Sequence, residues 1–82
     1  MRKYDKMDAK LAVAKAVEVL CEENEITQTE FAERIGGSST QVCNYIKALS
    51  LPSFETLMNI AETFEVSTDW LLGLDDSDEN ND

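Results

Sequence analysis

Residues 27–47 read TQTEFAERIGGSSTQVCNYIK, and this stretch decides the fold. Thr27 stands three residues before Glu30, the spacing of a capping box, in which each side chain bonds the other's backbone N–H. Phe31, Ala32 and Ile35 follow at helical steps and give a short helix one apolar face. Gly36-Gly37 ends that helix, because glycine takes the left-handed conformation at low steric cost. Ser38 caps the next helix, whose inward residues are Val42, Tyr45 or Cys43, and Ile46. Its outward face, Ser39, Thr40, Gln41, Asn44 and Lys47, is polar and nearly uncharged. Two short helices joined by a tight glycine turn form a helix-turn-helix unit.

Working outward, Asp8 reads as the cap of a helix running to about Asn24. Its apolar face is Leu11, Ala14, Val17, Leu20 and Cys21, widened by Val13 and Val19. After a loop from Ala48 to Pro52, Ser53 caps a fourth helix with core residues Phe54, Leu57, Ile60, Ala61 and Phe64. A last short helix starts at Ser67 and carries Trp70, Leu71 and Leu72 before Gly73, with Trp70 expected against the fourth helix. Nothing alternates like a strand, so the class is all-α with five helices. The organisation expected is a basic flexible arm over residues 1–7, a domain over 8–73 and an acidic disordered tail over 74–82.

Eighty-two residues suffice for one domain with one core. The net charge of −10 opposes contact with a polyanion if taken as one number, but it is unevenly spread. Over residues 1–16 five cations face two acids, whereas residues 28–53 balance Arg34 and Lys47 against Glu30 and Glu33. Residues 17–27 hold four acids and no base, and residues 54–82 hold nine acids and no base. The middle of the chain is neutral.

With no histidine, neither a zinc site nor a cysteine–histidine nucleophile can be assembled. Cys21 and Cys43 lie within apolar helical patterns and read as buried free thiols in a reducing compartment. No apolar run approaches the ~20 residues that span a bilayer, and no secretory segment is visible. A cytoplasmic protein without cofactor or membrane partner is expected. An enzyme is excluded, since no phosphate-cradling glycine loop or convergent ligand set exists.

A helix laid in the major groove needs short hydrogen-bonding side chains near its N-terminus, where base edges distinguish all four base pairs. Ser39, Thr40, Gln41 and Asn44 are of that kind and are the candidate base contacts. Helix N-termini also favour phosphate, which makes Gln28 and Ser38 candidate backbone contacts, with Lys47 beside them.

Three strings carry a resemblance: Ile26-Thr27-Gln28-Thr29-Glu30-Phe31-Ala32, Pro52-Ser53-Phe54-Glu55-Thr56-Leu57 followed by Ile60-Ala61, and Val66-Ser67-Thr68-Asp69-Trp70-Leu71-Leu72-Gly73. Together they resemble the phage-repressor-like helix-turn-helix family, the Cro and lambda-repressor group of the XRE family, over about residues 17–73. The resemblance implies a five-helix lambda-repressor-like DNA-binding domain whose second and third helices form the reading head. It also implies a transcriptional regulator of repressor type, a homodimer on a symmetric double-stranded DNA operator.

The departures are specific. Cys21 and Ile46 stand where the family often carries an arginine and a glutamate that pair. Losing both partners together is the tolerable way to lose a buried ion pair. Ala48 replaces the glycine usual after the reading helix, and Leu49 and Leu51 stand in a loop where bases are common. Leu49 and Leu51 read equally as a buried loop or as a dimer or partner patch. The acidic charge keeps a second function open, a protein-interaction module of the same fold, antirepressor or antitoxin-like, with weak or no DNA binding.

Overall fold

The computed structural model describes residues 6–74, with side chains from Ala9 onward. Five helices follow in order: α1 (Lys6–Asn24), α2 (Gln28–Arg34), α3 (Ser39–Ile46), α4 (Phe54–Phe64) and α5 (Thr68–Leu71). No strand occurs among the described residues. Helix α1 begins at Lys6, so Asp8 lies in its first turn rather than before it. Lys6 and Met7 favour helix as readily as the residues after them. Residues 1–5 of the expected arm and 75–82 of the expected tail lie outside the described residues.

Helix starts are set by local chemistry. Thr27, Ser38, Ser53 and Ser67 each accept a hydrogen bond from the backbone N–H three residues on, at 3.1, 3.1, 3.2 and 3.0 Å. At Thr27 the box is complete, with the Thr27 N–H donating to Glu30 Oε1 at 2.8 Å.

Helix ends are equally uniform. All five close with one residue in the left-handed region, Glu25, Gly36, Ala48, Glu65 and Gly73. The N–H that follows each of these reaches back to a carbonyl five residues earlier, as Leu49 N–H does to the Asn44 carbonyl at 2.9 Å. Glycine serves without strain at Gly36, whose φ is 71°. Ala48 holds φ 60° with a Cβ that crowds the following carbonyl. Ala48→Gly is therefore expected to stabilise the domain by about 0.5–1 kcal/mol, after its larger unfolded-state entropy is counted. A thermal melt checks this as a rise of about 2–8 °C.

The core joins all five helices: Val13, Val17 and Leu20 of α1, Phe31 and Ala32 of α2 with the following Ile35, Val42 and Tyr45 of α3, Leu57 and Ile60 of α4, and Leu71 of α5. Phe31 stacks on Phe64 with ring centroids 4.8 Å apart and planes 9° from parallel. Helix α1 lies against α3 and α5, α2 against α3, and α4 against α5.

The buried face of α1 is Ala9, Val13, Ala16, Val17 and Leu20, flanked by Ala14. Leu11, expected inward, is 56% exposed. It shares its helical face with Lys15, Glu18 and Glu22, which are all exposed, so the periodicity of the charges outweighs one leucine. Phe54, also expected in the core, is 77% exposed. It occupies the first position of α4 on the flank it shares with Met58, while Pro52 is buried instead. Trp70 is half-buried and packs on the core, but it lines a groove with Ala12, Ala16 and Val19. Trp70 borders that groove, and Leu71 is the residue of α5 that enters the interior.

Candidate nucleic-acid interface

Helix α3 crosses the domain with Val42 and Tyr45 anchored in the core. At about 100° per residue, Thr40, Asn44 and Lys47 then share the opposite, outward face, with Ser39 and Gln41 on either flank. Thr40 and Lys47 are exposed and Asn44 is half-buried. Ser39, Gln41, Gln28 and Ser38 are exposed as well.

The N-terminal ends of α2 and α3 meet. Ser39 Oγ donates to Thr29 Oγ1 at 3.3 Å, which ties the first residue of α3 to the first turn of α2. Gln28 opens α2 and Ser38 caps α3, so each stands at one of the two helix starts that this bond joins. The turn between the helices is held from outside, because Asn59 of α4 donates to the Ile35 carbonyl at 2.6 Å. Thr29 and Asn59 escape sequence reading: each contact spans ten residues or more, and neither residue type announces a tertiary partner.

Ser38 has a second role beyond the expected cap. Its own N–H donates to Gln41 Oε1 at 3.4 Å, so Ser38 and Gln41 form a second complete capping box. The spacing Ser-x-x-Gln is as readable in sequence as Thr27-x-x-Glu30. Behind it, the Tyr45 hydroxyl lies close to the side chains of Gln41 and Thr56. Burial raises the Tyr45 phenol above its ordinary range, and those two neighbours partly offset the rise.

Cys21 and Ile46 line one groove together with Val19, Ile26, Thr27 and Gln28. The two apolar replacements thus share the same place in the fold. Both cysteines are free, and both are half-buried where full burial was expected. Burial, with a smaller push from the Glu18 carboxylate, raises the Cys21 thiol above the usual thiol range, so it stays protonated at neutral pH.

The two loop leucines part company. Leu51 is half-buried and packs on the core, whereas Leu49 is 63% exposed. With Phe54 and Met58, both exposed and one turn apart on α4, Leu49 leaves apolar surface at the loop before α4 and on the first turns of that helix.

Among the described residues, no group of histidine, cysteine and carboxylate side chains could hold a metal ion, and no helix is long and apolar enough to cross a membrane.

The described domain is all-helical, with a central helix-turn-helix at α2 and α3. A family model described as helix-turn-helix matches residues 17–71, and the chain belongs to that family. It is 34% identical over 55 residues to the HTH-type transcriptional regulator ImmR of Bacillus subtilis (strain 168), covering 67% of this chain and 43% of that protein. It is 41% identical over 54 residues to the cryptic phage CTXphi transcriptional repressor RstR of Vibrio cholerae serotype O1, covering 66% of this chain and 48% of that protein. The matching stretch spans less than half the length of either relative. No solved structure matches this chain.

Proposed function

We propose that this chain is a sequence-specific double-stranded DNA-binding transcriptional regulator of repressor type, which places α3 in the major groove. The observation that carries this reading is the outward face of α3: short polar side chains, one cation and no acid, on a helix whose start is braced by α2. Such a face offers donors and acceptors to base edges without repelling phosphate. Ser39, Thr40, Gln41 and Asn44 lie at the groove, and Gln28, Ser38 and Lys47 lie toward the phosphates. The names of the two relatives, a transcriptional regulator and a phage repressor, support the same role. The protein acts in the cytoplasm and has no catalytic part.

Leu49, Phe54 and Met58 supply the apolar surface for a homodimer on an operator with two-fold symmetry. The same surface and the charge of −10 favour the second reading, an interaction module that binds another protein in place of DNA. Enriching random duplexes on the purified protein separates the two. A recurrent symmetric motif is expected; enrichment no better than random, at low salt as well, overturns DNA reading and leaves the interaction module.

A further inference from the structure

Of the residues on and beside the outward face of α3, Gln41 differs in being held by its own helix. Its Oε1 accepts from the Ser38 N–H, and its backbone N–H donates to Ser38 Oγ. A Cβ built on Gly37 would lie 2.7 Å from Gln41 Oε1, so the carboxamide lies over the bare Cα of the turn. The side chain also lies close enough to the Tyr45 hydroxyl, one turn on, to favour its ionised form. Ser39 is turned to the other flank by its bond to Thr29. Thr40 and Asn44 sit between them, four residues apart on one face. Among the described residues neither side chain has a hydrogen-bond partner.

We infer that base selection by this helix rests on Thr40 and Asn44, and that Gln41 is a positioning residue that fixes the start of α3. This rests on the DNA reading proposed above and narrows it. Thr40 presents a hydroxyl and a methyl group, and Asn44 presents a carboxamide whose donor and acceptor match the N7 and N6 edge of adenine. Gln41, with its oxygen on Ser38, sets where those two side chains stand.

The test compares Gln41→Ala, Gln41→Glu, Thr40→Ala and Asn44→Ala in the full chain. Two readouts are used: hydrogen exchange at the Ser38 amide, and relative preference among single-base-pair variants of the duplex that the wild type enriches. Gln41→Ala is expected to lose Ser38 protection and about 2–8 °C of melting temperature. Gln41→Glu, which keeps the accepting oxygen, is expected to restore both. Thr40→Ala and Asn44→Ala are each expected to flatten preference at one base pair by about tenfold to a hundredfold. Gln41→Ala is expected to leave the pattern of preference intact while weakening all duplexes evenly. Loss of preference at a single base pair in Gln41→Ala, or unchanged Ser38 exchange, overturns the positioning role. If the wild type enriches no duplex, the DNA reading fails and the assignment of Thr40 and Asn44 fails with it. The Ser38 exchange then decides the role of Gln41 alone.

Discussion

Phe31→Ala is expected to remove about 3–5 kcal/mol of stability, against the ~4–12 kcal/mol typical of a domain this size. Phe31 is fully buried in α2, and its ring stacks on Phe64 of α4. Truncation leaves a cavity where two helices meet and also loses the stacking contact. A thermal melt followed by circular dichroism should show a fall of about 15–30 °C, or no folded baseline at 25 °C. Phe31→Leu, which fills most of the volume, is expected to lose far less. A fall of only a few degrees in Phe31→Ala would mean that α2 is not seated against α4 as described.

The second large effect concerns binding. Asn44→Ala is expected to weaken the enriched duplex by about 1–3 kcal/mol while changing non-specific duplex little, since a base contact carries sequence information and a phosphate contact does not. Lys47→Ala should do the reverse, weakening all duplexes alike and reducing the logarithmic salt slope by about 0.9. Titrations at several salt concentrations with both variants check this. Equal losses on all duplexes for Asn44→Ala would remove it from the reading face. The overall slope should be shallow, because α3 itself holds no cation and Lys47 stands only at its C-cap.

The number, order and caps of the later helices are legible in the sequence because the bonds that set them are local. Thr27, Ser38, Ser53 and Ser67 each bond within three residues of themselves. What tertiary packing decides is less legible. Leu11 and Phe54 are apolar enough to be placed inward, yet the rotation of α1 and the end position of Phe54 put both in solvent. Leu49 and Leu51 look alike in the chain, and only the path of the loop separates them. At the candidate site, residue types and the polar face are readable, and so is the Ser38–Gln41 box. The bonds from Asn59 to Ile35 and from Ser39 to Thr29 are not, since they join residues 24 and 10 positions apart with no periodic signal.

The five matching helix ends bear on how quickly the chain folds. Each stop is completed by a backbone bond across five residues, and each of the last four starts by a bond across three. Helix boundaries can therefore form before distant segments meet, so little of the search is left to long loops. Refolding is expected on the microsecond-to-millisecond scale of helical domains rich in local contacts. The pairing of α1 with α5 joins the two ends of the described chain. Substitutions at that seam should then act mainly on the rate of unfolding, and those in the α2–α3 turn on the rate of folding.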